Sequence, residues 1–353
     1  MRILVITPID TGVYKDMTTL MCESLTKYHE HTIIEAPLLI NNGILEFWKP
    51  CNLKLEMGCC DVIWAPFEPL IGVALKLKAT LKVPIVAHFE IVPPLRVNVD
   101  EIDIAHYTNT EISKDKLEAY REYREFTKNY LKCDVCTYLG EYEKYRMERL
   151  IGEKIDRKLF NVPYTINDEY YKTLTDDIDT KYQIMSVVRL TGYKRVHHVI
   201  KALSLIKNPP KYVVVGKGAL KEELQRFAKY LGVDVEFKGQ VSDEEKAKII
   251  KESLFTVHPW ACLPVGEAAY FKKVSICYFD PLVYARNKDL AVYVEHNNIE
   301  ALAAKIEELA NNEELSQQLG NRSYDVLVNK KSEIYLMKDN SDAMNTIFNE
   351  ATK

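Results

Sequence analysis

The sequence predicts an α/β protein built from two doubly wound parallel sheets. Short runs rich in Val and Ile alternate with helical stretches, which is typical of parallel strands covered by helices on both faces. The alternation is interrupted once, by a polar stretch without apolar periodicity from Thr165 to Lys181. The chain has 353 residues, of which 47% are hydrophobic, so it can fill two cores rather than one.

The first half of the chain carries the first alternation. Helical stretches separate most of its short apolar runs. The predicted strands are RILVIT, HTIIEA, DVIWAP, VPIVAHF, IDIAHYT, CDVCTYL and KLFNVP. The predicted helices are Tyr14–Lys27, Pro69–Leu81, Ser113–Leu131 and Glu141–Ile151. We therefore predict one domain over residues 1–165.

The second alternation follows a linker, which we place at residues 166–183. Its predicted strands are QIMSVV, KYVVVG, VEFKG, LFTVHP, VSICYF and LAVYVE. A helix is predicted from Ala219 to Leu231, and the next one opens with a capping box formed by Ser242 and Glu245. We predict a second domain over residues 184–330 and a C-terminal helix over residues 331–353. Such sheets bind ligands beyond the carboxyl ends of their strands, and two facing sheets form a cleft.

Composition excludes several classes of protein. The net charge of −4 gives no basic field for nucleic acid, and no apolar run approaches the ~20 residues that cross a bilayer. The start, MRILVITPID, lacks the features of a signal peptide, so we expect a cytoplasmic protein. Abundant Lys, Glu, Ile and Tyr favour a thermophilic source.

The cysteines do not predict a metal site. Cys133 and Cys136 form a lone C-x-x-C without a second pair nearby, and several others lie in apolar runs where Cys acts as a small hydrophobic residue. The full set is Cys22, Cys51, Cys59, Cys60, Cys133, Cys136, Cys262 and Cys277. A thermophilic source would allow internal disulfides, for which the sequence favours no particular pair.

Two cations follow the first strand of the second domain. Arg189 comes directly after the strand, and Lys194 lies just before the next helix. Both are thus expected at the carboxyl end of the sheet, where Arg can bind phosphate oxygens in two places and Lys adds a point charge. The alternative is a pair of solvated surface cations. We interpret Arg195, His197 and His198, which follow, as an exposed helix face.

Glycines and a carboxylate complete this predicted site. Gly216 and Gly218 form a turn between a buried strand and a helix, and Gly239 ends the next strand. Such turns bring backbone N–H groups close to an anion, although a tight structural turn explains them equally well. Gly266 and Glu267 lie at a predicted helix start, where a carboxylate accepts hydrogen bonds from ribose hydroxyls or simply faces the helix dipole. In this order the residues predict a cradle for a nucleotide diphosphate.

The second domain resembles the donor-binding half of retaining glycosyltransferases of family 4, which have the GT-B fold. The resemblance is carried by SVVRLTGYKRVHHVIKAL, YVVVGKGALKEEL, GVDVEFKGQVSDEEKAKII, LPVGEAAYF and HNNIEALAAKIEELANNEEL. It implies two Rossmann-like domains facing a central cleft and a last helix that returns to the first domain. It also implies that Arg189 and Lys194 bind the donor diphosphate and stabilise the leaving group, that Glu267 binds the ribose, and that no metal or other cofactor is required.

The first domain resembles the family only loosely. TPIDTGVYKDMTTLMCESL stands where acceptor-side domains carry a glycine-rich loop and keeps only Gly12 as a donor contact. VPIVAHFEIVPP resembles the strand that brings a His into the cleft, so His88 is a candidate near the sugar and Glu90 a second one. The alternative for His88 is a His held by local hydrogen bonds at a strand end.

The sequence departs from the family at one place. The family carries two Glu residues eight positions apart, and Pro259 stands eight positions before Glu267, with no acid between Glu252 and Glu267. Either a shortened turn uses His258, Trp260 or the backbone to recognise the sugar, or sugar recognition has been lost. Trp260 would stack on a base or sugar, or be a buried aromatic beside the cleft.

The leading hypothesis is a retaining glycosyltransferase that uses a UDP or GDP sugar and an unknown lipid, protein or glycan acceptor. The alternatives are a nucleotide-sugar-binding module without activity and a sugar-nucleotide epimerase. An NAD dehydrogenase is disfavoured because TPIDTG lacks the G-x-G-x-x-G that would follow the first strand. The segment ALKLKATLK could contact a membrane peripherally, although we favour a solvated helix surface.

Overall fold

A computed structural model gives the fold of the chain. The structure describes residues 1–8, 28–36, 38–41, 44–47, 57–66, 68–89, 128–155, 158–174, 178–261 and 263–353, with single residues at 25, 114, 117, 121 and 124. The chain divides into two compact units. The first comprises Met1–Pro163 and Lys338–Lys353, and the second comprises Tyr164–Met337. The predicted linker, residues 166–183, thus belongs to the second unit.

The first unit is a parallel α/β sheet. Within the described residues its strand order is β2-β1-β5-β6-β7-β8, and every pair in it is parallel. The strands of the unit are β1 (Arg2–Pro8), β2 (Glu30–Ala36), β3 (Leu38–Asn41), β4 (Ile44–Phe47), β5 (Val62–Ala65), β6 (Ile85–Phe89), β7 (Val135–Tyr138) and β8 (Leu159–Asn161). β3 and β4 form a separate antiparallel pair. The alternating apolar runs predicted this sheet because its central strands are buried on both faces.

The helices of the first unit follow the predicted ones where both are described. They are α1 (Glu68–Leu81) and α2 (Glu141–Ile151), with a 3-10 helix at Lys128–Lys132. The predicted helix Ser113–Leu131 is helical at residues 114, 117, 121 and 124 and ends in that 3-10 helix. The predicted strand IDIAHYT lies outside the described residues, as does nearly all of the predicted helix Tyr14–Lys27.

The second unit has the strand order β12-β11-β10-β13-β14-β15, again all parallel. When the strands of this six-stranded sheet are numbered along the chain from β10, the order is 3-2-1-4-5-6, as in a Rossmann sheet. In such a sheet ligands bind at the switch point between the first and fourth strands. These are β10 and β13 here. The strands are β9 (Tyr164–Ile166), β10 (Gln183–Val187), β11 (Lys211–Val215), β12 (Val235–Gly239), β13 (Phe255–Val257), β14 (Ser275–Tyr278), β15 (Ala291–Val294) and β16 (Ile334–Leu336).

Helices cover the second sheet and lead out of it. They are α3 (Asp168–Tyr171), α4 (Val196–Leu203), α5 (Lys221–Leu231), α6 (Asp243–Glu252), α7 (Leu263–Tyr270), α8 (Pro281–Asn287), α9 (Ile299–Ala310) and α10 (Glu313–Val328). The last helix, α11 (Met337–Ala351), belongs from Lys338 onward to the first unit. The predicted N-cap of α6 is confirmed, since the Ser242 hydroxyl accepts a hydrogen bond from the Glu245 amide at 3.1 Å. α5 begins at Lys221, two residues after the predicted start, and ends before Gly232 in the left-handed conformation.

The segment interpreted as a linker contains a strand and a helix. Its beginning forms β9, which pairs in parallel with β16, and α3 follows directly. The Asp168 carboxylate accepts a hydrogen bond from the Met337 amide at 2.8 Å, so the start of α3 is joined to the start of α11. The sequence did not predict β9 because a strand of three residues is too short to show a period of two, and because its partner β16 lies far along the chain.

Candidate functional site

The predicted cations lie at the switch point of the second sheet. Arg189 follows β10, and Lys194 ends a 3-10 helix, Gly192–Lys194, before α4. Arg189 is exposed, and its guanidinium has no hydrogen-bond or ion-pair partner within the described part of the chain. A cation at this edge that is not paired internally remains available for an anionic ligand.

Lys194 is held against the turn that follows β13. Its Nζ donates a hydrogen bond to the Trp260 carbonyl at 3.0 Å and lies 4.6 Å from the centre of the Trp260 ring. The Tyr193 ring, 5.1 Å from the same Nζ, completes an aromatic surround. These contacts fix the position of the ammonium at this turn, and neither the carbonyl nor the two π faces carries a net charge.

The predicted glycines connect the ends of neighbouring strands. A Cβ atom at Gly216 would lie 2.0 Å from the Val188 carbonyl oxygen, and one at Gly218 would lie 2.4 Å from that of Leu190. The turn after β11 therefore packs directly on the chain that carries Arg189. The Gly216 amide donates to the Gly239 carbonyl at 2.7 Å, which connects the end of β12 to the same edge.

His258 directly follows β13 and begins the turn that leads to α7. His258 is 2% exposed, and neither of its ring nitrogens has a hydrogen-bond partner within the described residues. Burial, together with the charge of Lys194, lowers the pKa of His258 to about 3, so the ring is neutral at pH 7. The Asn287 side-chain amide donates to the Ala261 carbonyl at 2.9 Å and anchors the far side of the turn.

Several buried polar atoms near this turn have no hydrogen-bond partner within the described residues. Such atoms are rare in folded proteins, and each calls for a ligand, a water or an ion. Within the described residues they include the Thr191 hydroxyl, one guanidinium nitrogen of Arg195, the Asn287 side-chain oxygen and both nitrogens of His258. Thr191 and Arg195 flank the 3-10 helix that carries Lys194.

Glu267 lies deeper in its helix than the sequence indicates. α7 begins at Leu263, so Glu267 is in the second turn rather than at the helix start. Its Oε1 accepts hydrogen bonds from the Tyr171 hydroxyl at 2.9 Å and from Lys246 Nζ at 2.8 Å. The predicted ribose contact thus belongs to a network that joins α3, α6 and α7.

Gly266 faces the interior of the unit. A Cβ atom there would lie 2.6 Å from Cγ2 of Ile334 and 3.5 Å from Cγ2 of Ile166. Those side chains come from β16 and β9. The small size of Gly266 is therefore explained by the packing of α7 on this strand pair, and no ligand is needed to account for it.

The residues after Lys194 do not form the exposed face that we expected. Arg195, His197 and His198 are all half-buried. His198 Nδ1 lies 3.0 Å from the Tyr278 hydroxyl, and an Arg195 guanidinium nitrogen lies 3.1 Å from Nε2 of His296. Burial, followed by the charges of neighbouring His and Arg side chains, lowers the pKa of His198 to about 4. The expectation failed because the N-terminal turn of α4 packs on the ends of β14 and β15.

His88 is buried in the sheet of the first unit. Its Nδ1 lies 2.7 Å from the Thr137 hydroxyl on the neighbouring strand β7, and burial lowers its pKa to about 3. The Thr137 hydroxyl also lies 3.4 Å from the Ala87 carbonyl; when it donates there, His88 Nδ1 donates to Thr137 and Nε2 is left as an acceptor. Gly12 and Glu90 lie outside the described residues.

Three further predictions concern metals and membranes. Within the described ranges no group of three or more His, Cys, Asp or Glu side chains could hold a metal ion, and Cys133 and Cys136 are buried. No helix in the described part of the chain is long and apolar enough to cross a membrane. In the segment ALKLKATLK, Lys78 Nζ lies 2.6 Å from an Asp134 carboxylate oxygen, so one of its positive charges is already paired.

Sequence reasoning missed Lys246, Tyr171 and Asn287. Lys246 had a detectable signal, because it lies three and four positions before the buried Ile249 and Ile250 on the apolar face of α6. A lysine on such a face requires an anionic partner. Tyr171 was missed because it lies in the segment interpreted as a linker, where no helix was predicted.

The two Rossmann-like sheets define the chain as a protein of the GT-B fold. Residues 175–326 match the family described as Glycosyl transferases group 1. They cover the second unit except for its two ends. This stretch of the second unit, which contains Arg189, Lys194 and Glu267, is therefore similar to a group 1 glycosyl transferase domain.

Whole-chain likeness comes from solved structures and shows the fold. HepE of Anabaena, solved in complex with UDP, superimposes with a TM-score of 0.67 at 11% identity, covering 99% of this chain and 100% of that one. Sucrose-phosphate synthase of Thermosynechococcus elongatus gives a TM-score of 0.67 at 12% identity and covers 99% and 98%.

One curated relative shares part of its length with this chain. It is the GalNAc-alpha-(1->4)-GalNAc-alpha-(1->3)-diNAcBac-PP-undecaprenol alpha-1,4-N-acetyl-D-galactosaminyltransferase of Campylobacter jejuni, 28% identical over 214 residues. The match spans 55% of this chain and 55% of the relative, so about half of each protein is compared.

Proposed function

We propose that this protein is a retaining hexosyltransferase that moves a sugar from a nucleotide-diphosphate sugar to an acceptor hydroxyl. The observation that carries the proposal is the pair of cations at the switch point of the second sheet: Arg189, whose guanidinium has no partner within the described residues, and Lys194, which is fixed against the turn after β13. The group 1 domain match over residues 175–326 supports it. UDP is the first donor nucleotide to test, because the structural neighbour HepE was solved with UDP and with UDP-glucose.

In this proposal the chain acts on the leaving group. When the bond between the sugar and the diphosphate breaks, negative charge grows on the diphosphate, and Arg189 and Lys194 stabilise it. The acceptor hydroxyl oxygen forms the new bond to the sugar, and its proton passes to an oxygen of the departing diphosphate. Because two fixed cations meet the growing charge, we propose that no metal or other cofactor is required. We propose His88, through Nε2, as a contact for a sugar hydroxyl.

The acceptor is proposed from the curated relative. Its name describes an acceptor glycan carried on undecaprenyl diphosphate. A glycan linked to a polyprenyl diphosphate is therefore the first acceptor to test here, ahead of proteins and free glycans.

A panel of nucleotides and nucleotide sugars in a thermal-shift assay tests the donor. A ligand at 100 times its dissociation constant adds about 2.7 kcal/mol to the free energy of unfolding, so the correct base should raise the midpoint most. A protein whose midpoint no nucleotide raises does not have the proposed site.

Replacing Arg189 tests the proposed chemistry. We expect Arg189→Ala to lower turnover of the nucleotide sugar about 10²–10³-fold, because one fixed charge on the leaving group is lost. Turnover is measured with EDTA present, and the thermal midpoint should stay unchanged because Arg189 is exposed. Arg226→Ala is the matched control, since Arg226 is an exposed arginine within α5 rather than at a strand end. Equal turnover in the two variants would reject the assignment.

A non-catalytic binding module is the second candidate. It is favoured by the absence of any acidic residue between Glu252 and Glu267, where the sugar should be recognised. Product analysis separates the two candidates. A sample that binds the nucleotide sugar yet neither transfers nor hydrolyses it is a binding module, and one that changes the sugar without an acceptor is an epimerase.

A further inference from the structure

The carboxylate of Glu267 uses its two oxygens unequally. Both of its hydrogen bonds, from the Tyr171 hydroxyl and from Lys246 Nζ, end on Oε1. Within the described residues Oε2 accepts no hydrogen bond. A carboxylate has about four acceptor positions, so half of this group is occupied and half is left for a ligand.

Lys246 is largely removed from water by its contacts in this network. Its side chain is 15% exposed, and its Nζ also pairs with an Asp243 carboxylate oxygen at 2.7 Å. Burial acts to lower the pKa of Lys246, but the charges of Glu267 and Asp243 and the hydrogen bonds to both raise it overall. The lysine therefore stays charged and compensates a carboxylate that is only 9% exposed.

Tyr171 holds the same oxygen from another element. Burial, followed by the charge of Glu267, raises the pKa of Tyr171, so its hydroxyl keeps its proton and donates it. The ring packs on Tyr270 and Phe271, with centroids 5.6 and 5.0 Å away, and cannot swing aside freely. Two rigid donors on one oxygen fix the rotamer of Glu267 before any ligand arrives.

We propose that Lys246 and Tyr171 are positioning residues that hold Glu267 through Oε1 so that Oε2 accepts hydrogen bonds from the ribose hydroxyls of the donor. The inference rests on the proposed function, since it deepens the nucleotide site described there. It goes further by assigning roles to two residues outside the strand-end loops. Lys246 has a second effect, because its charge reduces the repulsion between the buried carboxylate and an incoming diphosphate.

Ribose recognition is isolated by comparing UDP with 2′,3′-dideoxy-UDP by calorimetry. The ratio of the two dissociation constants reports hydrogen bonds to the ribose hydroxyls and cancels contributions from base and phosphates. We expect a ratio of about 10–100 in the wild-type protein and close to 1 in Glu267→Gln. Lys246→Met and Tyr171→Phe should each lower the ratio at least threefold while changing the affinity for dideoxy-UDP less than twofold.

Three further measurements separate positioning from general stability. Lys246→Arg should restore most of the wild-type ratio, because it restores the charge. Lys248→Met, on the exposed side of the same helix, should leave the ratio unchanged. Thermal midpoints accompany every variant, and Tyr171→Phe, which removes a single hydroxyl, provides the test if Lys246→Met does not fold.

The outcomes distinguish this inference from the proposed function. A wild-type protein that binds neither UDP nor GDP contradicts the proposed function. One that binds UDP and dideoxy-UDP equally, or whose ratio collapses in Glu267→Gln but persists in Lys246→Met and Tyr171→Phe, overturns only the positioning role.

Discussion

His258 is an uncommon residue in a folded interior. Its ring is 2% exposed, both nitrogens lack partners within the described residues, and Lys194 lies close enough to affect its charge. Protonation would bury a second cation beside Lys194, so the folded protein holds the neutral ring. A neutral imidazole offers one donor and one acceptor, which suits a hydroxyl or a water.

The depressed pKa of His258 makes the stability of the second unit depend on pH. Unfolded His titrates near 6.5 and folded His258 near 3, so between these values the unfolded state binds more protons. The free energy of unfolding should therefore fall as pH drops from about 6.5 toward 3, by up to about 1.4 kcal/mol per pH unit for this group. Urea unfolding between pH 8 and pH 4 measures it.

The variant His258→Gln separates this residue from His198, which also has a lowered pKa in the same unit. We expect the free energy of unfolding of this variant to change less steeply with pH than that of the wild-type protein, because the uptake of one proton on unfolding is removed. This holds whatever the stability of the variant at pH 8. A slope equal to that of the wild-type protein would show that His258 is protonated in the folded state.

The glycine turn after β11 depends on a close approach of two chain segments. Gly216 has a φ of +135°, which side chains disfavour, and a Cβ there would overlap the Val188 carbonyl. The opposite segment carries Arg189, so any shift of the turn moves a proposed phosphate contact. A shift at this edge of the sheet would therefore affect both the local stability and the proposed nucleotide binding.

Substitution of these glycines should show that coupling. We expect Gly216→Ala to lower the free energy of unfolding by about 1–3 kcal/mol and to weaken nucleotide binding as well. Denaturant unfolding and nucleotide titration measure the two effects. Gly192→Ala is the control in the neighbouring loop, because a Cβ there meets no atom within 4 Å, and it should change stability by less than about 0.5 kcal/mol. Equal effects of the two substitutions would contradict the close approach.

The C-terminal helix α11 belongs to the core of the first unit. Phe348 is fully buried, and its ring meets that of Trp64 edge-on with centroids 6.1 Å apart. Met344 and Ile347 pack in the same cluster as Ile3 and Val5 from β1. The C-terminal helix therefore packs in the same core as the N-terminal strand β1, while residues 164–337 have a separate core.

This division predicts that core substitutions act within their own unit. Phe348→Ala should destabilise the first unit by about 3–5 kcal/mol through the lost contacts and the cavity. Hydrogen exchange should become faster in β1, β5 and β6 and stay unchanged in β10 and β11. Leu309→Ala, at a buried position of the second unit, should give the reverse pattern. Equal loss of protection in both units after either substitution would show that they unfold together.

Local sequence patterns predicted most of the described secondary structure. The apolar runs marked the strands of both sheets because parallel strands are buried on both faces, and Ser242 marked the start of α6 because its hydroxyl caps that helix. The cations were predicted at a strand end because Arg189 directly follows the apolar run that marks β10. These signals lie within a few residues of the features that they predict.

Contacts between distant segments were decided only by the tertiary structure. Tyr171 and Glu267 are 96 positions apart, and β9 meets β16 across an even longer interval. No local pattern shows that Gly266 packs on Ile334, or that two donors share one oxygen of Glu267. Local chemistry thus predicted which residues lie at the edge of the sheet, whereas chain packing decided which of their atoms are already bonded and which are left for a ligand.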